Sequence, residues 1–238
     1  MQVRKTNFLF LTGALSCVVL MLSGCLKDVQ NDPPKPKAYF SFMHLAPKGP
    51  SVEIYFNSDK ASNPFTSGSY TDRYNEVEPG AFSMTFKKAG GDSVVATIGA
   101  NFYDSLNYYT ILLFNRPDNS VGATSIRDDF SVLTQEKCYY RFWHMAPDIG
   151  DVDVYCNNEL WESSRQFTDN IFASYFNEFN PKTSNSYTIS VKKAGTDSLI
   201  AQTNTTLYNA NAYTIFLKGI PNGSGNNTLG VSVLQASN

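Results

Sequence analysis

Apolar and polar positions alternate with a period of two along most of the chain, and no segment carries a convincing helical stripe. In residues 52–57, Val52, Ile54 and Phe56 point one way and the residues between them point the other. This alternation predicts half-buried β-strands, and the turn residues between them indicate an all-β protein. The predicted strands are 38–46, 52–57, 70–77, 81–87, 93–98, 108–115 and 127–133, then 138–146, 152–156, 171–177, 187–193, 199–202, 212–218 and 230–234.

The pattern occurs twice. His44-Leu45-Ala46-Pro47 returns as His144-Met145-Ala146-Pro147, and Tyr74-Asn75-Glu76 returns as Phe176-Asn177-Glu178. The offset between the copies rises from 100 to 105 residues along the chain, as loop insertions would cause. A repeat of this length indicates a duplicated domain, because solenoid repeats span roughly 20–50 residues. The predicted domains are residues 38–134 and 137–236.

Six or seven short strands in each copy predict two tandem immunoglobulin-like β-sandwiches with Greek-key connections. Tyr213 enters an apolar strand six residues after Leu207, which is typical of a tyrosine corner, and Tyr109 is the equivalent residue in the first copy. The residue two places further on is Ile111 or Ile215 rather than cysteine. The predicted likeness therefore concerns architecture and not membership of the antibody family.

The first 24 residues have the pattern of a secretory signal peptide, because Arg4 and Lys5 precede a short uncharged apolar run. Leu22-Ser23-Gly24-Cys25 resembles the bacterial lipobox and predicts acylation of Cys25. Cys17 is a weaker candidate, since only a stub of apolar sequence precedes it. The alternative is an ordinary signal peptide with an incidental cysteine.

Residues 25–37 are expected to form the lipidated cysteine and an extended, proline-containing linker. The anchor predicts a protein attached to a membrane of the cell envelope rather than one spanning it. An outer-membrane location facing either the periplasm or the cell surface is the expectation, and the sequence leaves the inner membrane open.

The charge balance argues against some partners. The chain carries 21 acidic and 19 basic side chains, and it becomes more acidic when residues 1–24 are removed. With no basic block, neither nucleic acid nor a polybasic lipid-binding face is expected. The expected partners are the membrane, through the anchor, and a glycan or protein ligand.

Catalytic and metal chemistry find little support in the residues. His44 and His144, the only histidines, lack further ligands at metal spacing and are predicted to be buried imidazoles bonded to the backbone at strand ends. Glu53 and Asp153 are expected on the solvent-facing side of their strands, one acid in each copy. A glycoside hydrolase would require a pair of such acids. We therefore expect no enzyme activity, no metal and no cofactor.

Two cysteines remain beyond the anchor. Cys138 and Cys156 lie symmetrically about Pro147, as facing positions of two consecutive antiparallel strands would. An exported chain meets oxidising conditions, so a Cys138–Cys156 disulfide is predicted. Two small buried thiols are the alternative.

Two segments carry a family resemblance. Residues 42–47 continue through Val52-Glu53-Ile54-Tyr55, and residues 142–147 continue through Val152-Asp153-Val154-Tyr155. These segments resemble the opening of an exported bacterial family, the domain of unknown function DUF4397, although the start here is His-x-Ala-Pro. The resemblance implies a β-sandwich in the envelope and, with the lipobox, an origin in the Bacteroidota. It implies no activity and no catalytic residue.

The copies differ most over residues 57–69 and 157–168. Aromatic side chains on such loops can stack on a sugar or anchor a protein partner. The preferred interpretation is that they cap an open end of the core, and Trp161 is the best single candidate for a ligand contact. The candidate contacts are Trp161, Phe167, Phe65 and Tyr70.

Three Asp-Ser-apolar segments resemble O-glycosylation sites of exported Bacteroidota proteins. The candidate acceptors are Ser93, Ser105 and Ser198, and two of them lie on equivalent hairpin tips. The sequence as a whole predicts a lipid-anchored binding module without catalysis. A purely structural stalk or assembly subunit is the alternative, and a hydrolase would require Glu53 and Asp153 to meet.

Overall fold

The structure, a computed structural model, describes residues 35–236. This part of the chain forms two β-sandwiches, each made of two four-stranded sheets, which confirms the prediction of an all-β tandem fold. The first sandwich contains β1 (Ala38–Leu45), β2 (Val52–Phe56), β3 (Asp59–Lys60), β4 (Asn75–Val77), β5 (Gly80–Lys88), β6 (Val94–Tyr103), β7 (Tyr108–Asn115) and β8 (Val121–Asp128). The second contains β9 (Cys138–His144), β10 (Val152–Cys156), β11 (Glu159–Arg165), β12 (Asn180–Lys182), β13 (Asn185–Lys193), β14 (Leu199–Leu207), β15 (Ala212–Lys218) and β16 (Gly230–Gln235).

Each sandwich has one inner sheet, packed against the other copy, and one outer sheet. The inner sheets have the strand orders β4-β1-β7-β8 and β12-β9-β15-β16, and the outer sheets have the orders β3-β2-β5-β6 and β11-β10-β13-β14. The pairs β1–β7 and β9–β15 are parallel. Alternate residues of the facing sheets fill a separate core in each sandwich, as the period of two predicts.

The predicted tyrosine corner is present in both copies. The backbone N–H of Asp104 donates to the Tyr109 hydroxyl over 3.1 Å, and that of Tyr208 donates to the Tyr213 hydroxyl over 3.0 Å. Each bond fixes the entry to the strand that pairs in parallel with the first strand of its copy.

Two predicted strands are wrong. Residues 171–177 are helical, with a short helix α1 (Asp169–Phe172) followed by a 3-10 helix (Ser174–Asn177), and we call the two together the helical segment. The last strand of the first copy is β8 and not residues 127–133. β11 was not predicted at all.

The first length difference between the copies falls at the helical segment. The carbonyl of His44 accepts from Gly68 N–H, and that of His144 accepts from Thr168 N–H, so the offset is still 100 residues there. Strand pairing then places Asn75 opposite Phe40 and Asn180 opposite Tyr140, an offset of 105 residues. The match of Tyr74-Asn75-Glu76 to Phe176-Asn177-Glu178 is therefore three residues out of register, and the five extra residues lie in the stretch that forms the helical segment.

The two inner sheets pack back to back through a third apolar cluster. The cluster contains equivalent residues from both copies, such as Met43 with Trp143 and Leu45 with Met145. Lys48 and Asp148, which occupy the same position of each copy, form an ion pair of 2.7 Å. Contacts between equivalent residues are the mark of an isologous, two-fold interface. The two sandwiches form one compact unit.

A buried polar network crosses this interface. Arg141 of β9 forms an ion pair of 2.6 Å with Asp128 of β8, and the side chains are 1% and 0% exposed. Asp128 also accepts hydrogen bonds from Tyr74 and Thr110, and Arg141 donates to Thr214. The Asp128 carboxylate and the Arg141 guanidinium thus both have hydrogen-bond partners besides each other. Because the buried charges are satisfied only in this arrangement, the network stabilises one relative position of the two sandwiches.

Candidate binding groove between the copies

A large concave surface of the described residues lies where β8 of the first copy faces the helical segment of the second. We call it the inter-copy groove, and it has a volume of about 730 Å³. That size falls within the roughly 300–1,000 Å³ typical of ligand sites. Its lining residues are Thr124, Ser125, Ile126, Arg127, Asp129 and Val132 on one side and Asn170, Ile171, Phe172, Ser174, Asn177, Glu178 and Phe179 on the other.

The groove breaks the two-fold relation of the copies. Its second-copy wall is the helical segment, which lies in a stretch five residues longer than the equivalent stretch of the first copy. On the other side of the axis, residues 71–74 and the end of β16 line a cavity of about 10 Å³, at the place where Ser41 and Ala236 stand instead of Arg141 and Asp128.

Two buried arginines hold the helical segment in place. Arg165 donates to both carboxylate oxygens of Asp169, at 2.6 and 2.9 Å, and its guanidinium lies 3.8 Å from the Phe176 ring. Arg141 donates to the carbonyl of Asn177 over 3.2 Å. Because both ends are tied to buried charges, the far wall of the groove is fixed rather than free.

The groove surface is mixed in character. Phe172 is 77% exposed, an unusual position for a phenylalanine. Asn170 is 2% exposed, and its Oδ1 has no hydrogen-bond partner among the described residues. Arg127, Asp129 and Glu178 contribute charges of both signs. The groove therefore offers an apolar contact and polar groups without a strong field of either sign.

Trp161 lies elsewhere, on strand β11 rather than on a loop. Its ring packs 4.5 Å from Tyr140 and 4.8 Å from Tyr187, and Lys182 Nζ lies 4.7 Å from its centre. It lines a second groove of about 500 Å³ on the other side of the helical segment. Trp161 therefore packs at the edge of the core and also borders this second groove, and its role as a ligand contact stays a prediction.

The first copy fills the same space from another position. Phe56 lies 6.2 Å from Phe40 and 5.1 Å from Phe82, the residues equivalent to Tyr140 and Tyr187. The residue at the Phe56 position of the second copy is Cys156, and the one at the Trp161 position of the first is Ala61. Large and small side chains have therefore exchanged places between the copies.

The other three candidate aromatics also pack internally. Phe65 and Phe167 lie 6.3 and 5.9 Å from the imidazoles of His44 and His144. Tyr70 packs at 5.3 Å on Phe216 in the interface between the copies. None of the four candidates lines the inter-copy groove.

The histidine prediction is confirmed. Both imidazoles are fully buried, and Nε2 of His44 and His144 lies 2.9 and 3.1 Å from the carbonyls of Pro50 and Gly150. Burial lowers the pKa of each below its usual value, because the charged imidazolium is poorly solvated. Each histidine thus fixes the turn that follows its strand.

Glu53 and Asp153 lie on the side of β2 and β10 that faces away from the core, as predicted, but neighbouring groups cover them, so that each is less than one-tenth exposed. Asp153 accepts from the backbone N–H groups of Ser164 and Gly195, and Glu53 pairs with Lys60 at 2.9 Å. The hydrogen bond from Lys60 holds the pKa of Glu53 below its usual range. Glu53 and Asp153 lie on the two outer sheets. Because the two inner sheets lie between the outer sheets, the acids are not in contact.

The predicted disulfide is absent. Cys138 and Cys156 are free, buried thiols. Their strands do not pair with each other, because β9 belongs to the inner sheet and β10 to the outer sheet. Burial raises the pKa of the Cys138 thiol and raises that of Cys156 to about 12.

The candidate glycosylation sites lie at the surface. Ser93 and Ser198 are exposed at the tips of the β5–β6 and β13–β14 hairpins, and Ser105 is half-buried in the turn before β7. The tips turn at Gly90 and Gly195, whose φ values of 73° and 69° confirm the predicted glycine turns. Glycosylation of these serines stays a prediction, and the lipidation candidate Cys25 lies outside the described residues.

The fold and the groove define a tandem β-sandwich protein with a ligand-sized cleft between its copies. Residues 38–155 match the family model of the domain of unknown function DUF4397. No curated protein matches the chain. The match confirms the resemblance seen in the sequence and extends from β1 into β10.

Among residues 35–236, no helix has the length and apolar character needed to cross a membrane. No group of three or more His, Cys, Asp or Glu side chains there could hold a metal ion.

Sequence reasoning missed the residues that build the groove. Arg141 is a charge inside the apolar strand β9, where the first copy has Ser41, and Arg165 stands where the first copy has Phe65. Both departures, and the step in the repeat offset, are visible in the sequence. Together they indicate a local rebuilding of the second copy around the helical segment.

Proposed function

We propose that the chain is a lipid-anchored envelope protein that acts as a binding module without catalysis, and that the inter-copy groove receives its ligand, a glycan or a protein. The observation that carries the proposal is the asymmetry of the two sides, since the helical segment borders a groove of about 730 Å³ beside β8 and the first copy has no helical segment of this kind beside β16. A duplicated scaffold needs no such opening for its stability. The five added residues and the two buried arginines support a site built for a ligand.

The proposed lack of catalysis is supported by the hydrogen-bond and ion-pair partners of Glu53 and Asp153. Asp153 holds backbone N–H groups and Glu53 holds Lys60, so each carboxylate has a structural partner. Neither acid lines the groove.

The binding role is tested with Phe172→Ala, which removes the most exposed ring of the groove. Phe102→Ala is the matched control, because Phe102 is 59% exposed on β6 and does not line the groove. The purified proteins are compared on glycan arrays and against peptide libraries. We expect ligands that bind the wild-type protein and Phe102→Ala but are lost on Phe172→Ala. Equal binding by all three proteins, or no ligand in either screen, would contradict the proposal.

The anchor is tested separately by labelling cells with a fatty-acid analogue. Cys25→Ser is expected to abolish the label, and Cys17→Ser is expected to retain it. Label that survives Cys25→Ser would refute acylation at this position. Fractionation of the same cells then tests the proposed outer-membrane location.

A structural stalk or assembly subunit is the second candidate function. The buried Arg141–Asp128 pair and the shared apolar cluster favour it, because they fix the two sandwiches as one rigid body. This candidate predicts that Phe172→Ala leaves every interaction of the protein intact.

A further inference from the structure

The inter-copy groove runs along the edge of a sheet. β8 is the last strand of its inner sheet and pairs only with β7. Four consecutive residues of β8, 124–127, line the groove. Successive side chains of a strand point to opposite faces, so a groove on one face would be lined by every second residue. Lining by consecutive residues places the groove at the open edge.

The hydrogen-bond alternation identifies which main-chain groups face that edge. The N–H of Arg116 donates to the carbonyl of Ser120 at the hairpin end, and the β7–β8 register then runs without a shift. Bonded and non-bonded pairs alternate along such a ladder. Ala123, Ser125 and Arg127 therefore direct their N–H and C=O groups away from β7.

Val121 belongs to the same outward set and supports this assignment. Its carbonyl accepts from the Arg116 side chain over 2.7 Å instead of from β7. No side chain of the β7–β8 hairpin bonds in this way to the outward N–H and C=O groups of Ala123, Ser125 and Arg127.

The edge of β8 also lacks the usual protection. Unpaired strand edges attract further strands, and proteins block them with prolines, bulges or covering segments. β8 contains no proline and no bulge. At the equivalent edge, residues 71–74 and the end of β16 border a cavity of only about 10 Å³. On the β8 side the helical segment leaves room for a strand.

We propose that an extended segment of a partner protein adds to the edge of β8 as a fifth strand of the inner sheet. The inference rests on the proposed function of the groove and narrows its ligand to a polypeptide. The main chain of the segment pairs with Ala123, Ser125 and Arg127, and an apolar side chain packs on Phe172. Regularly spaced amide donors and carbonyl acceptors are what a peptide supplies.

The first test selects peptides from a random phage-displayed library on the purified full-length chain. Each selected peptide is synthesised with a single N-methyl group at successive positions, which removes one N–H at a time. Strand addition predicts losses of about tenfold at every second position, because alternate amides pair with β8. Uniform tolerance of N-methylation would overturn the inference.

The second test uses Ser125→Pro, which removes an outward N–H and is tolerated on an edge strand. We expect peptide affinity to fall by about tenfold while the unfolding midpoint stays near that of the wild type. If this variant does not fold, amide exchange of the wild type decides, with protection of Ser125 and Arg127 on peptide binding as the expected result. Unchanged affinity in a folded Ser125→Pro, or unprotected amides, would overturn strand addition.

The two proposals fail in different ways. Glycans that bind in a Phe172-dependent manner, with no peptide selected, would overturn strand addition and support the binding role of the groove. The absence of any Phe172-dependent ligand, whether glycan or peptide, would overturn both.

Discussion

The Arg141 guanidinium lies 2.6 Å from the Asp128 carboxylate at the buried junction of the two sandwiches, and neither charge is repeated in the other copy. The equivalent positions are Ser41 and Ala236, as the strand registers show. The threonines that contact the pair, Thr110 and Thr214, are equivalent to each other. The two-fold interface therefore contains a buried ion pair on one side of the axis that has no counterpart on the other side.

Removing one partner of the Arg141–Asp128 ion pair should destabilise the fold. Arg141→Met leaves the Asp128 charge buried without its partner, and we expect the free energy of unfolding to fall by about 3–5 kcal/mol. Urea unfolding of Arg141→Met, Asp128→Leu and the double variant measures this. The double variant should be more stable than either single variant. A decrease in the free energy of unfolding below about 1 kcal/mol in the single variants would contradict a stabilising buried ion pair.

Stability should fall as the pH drops below neutrality. Burial lowers the pKa of His44 and His144 in the folded protein below the unfolded value of 6.5. Below pH 6.5 the unfolded chain therefore binds more protons than the folded one, and stability present above this pH is lost by up to about 1.4 kcal/mol per pH unit for each histidine. Denaturant titrations between pH 7 and 5 measure the slope. His44→Gln with His144→Gln should flatten it, and an unchanged slope would show that other groups are responsible.

The exchange of large and small side chains between the copies is tested by introducing the first-copy residues at positions 156 and 161. Cys156→Phe alone overfills the space that Trp161 occupies, and we expect a loss of about 1–3 kcal/mol. Cys156→Phe combined with Trp161→Ala recreates the Phe56–Ala61 arrangement of the first copy. Thermal unfolding should show the double variant to be more stable than the sum of the single effects predicts, and simple additivity would argue against a shared space.

The two core cysteines should behave as protected thiols. Burial raises the pKa of Cys156 to about 12, so the reactive thiolate is scarce at neutral pH. Peptide mapping should find Cys138 and Cys156 unmodified by iodoacetamide in the native protein and both alkylated after unfolding without a reductant. Peptides joined through Cys138 and Cys156 would contradict the free thiols.

Periodicity predicted the regular strands well and the irregular ones poorly. β7, β10 and β15 have the predicted bounds, because each combines a strong apolar pattern with clear turn residues. β8 was misplaced, because Gly122, Ala123, Thr124 and Ser125 give it little apolar signal. Residues 171–177 are rich in aromatic residues, which favoured a strand, but they form the helical segment.

The groove could not be predicted from local motifs. Its walls come from segments about 45 residues apart in different copies, and only the packing of the inner sheets brings β8 and the helical segment together. Trp161 was predicted as a ligand contact because it lies where the copies differ most, and its ring packs on Tyr140 and Tyr187 outside the inter-copy groove. The useful signals were a length step in the repeat and two arginines at positions that are uncharged in the first copy.

The central claim, that the broken symmetry between the copies creates the binding site, is tested most directly by amide hydrogen exchange with a ligand from the screens. Bound ligand should slow exchange in β8 and in residues 170–179, and it should leave the equivalent strand β16 and the Trp161 region of β11 unchanged. Protection of β16 to the same degree as β8, or protection confined to β11, would contradict the account.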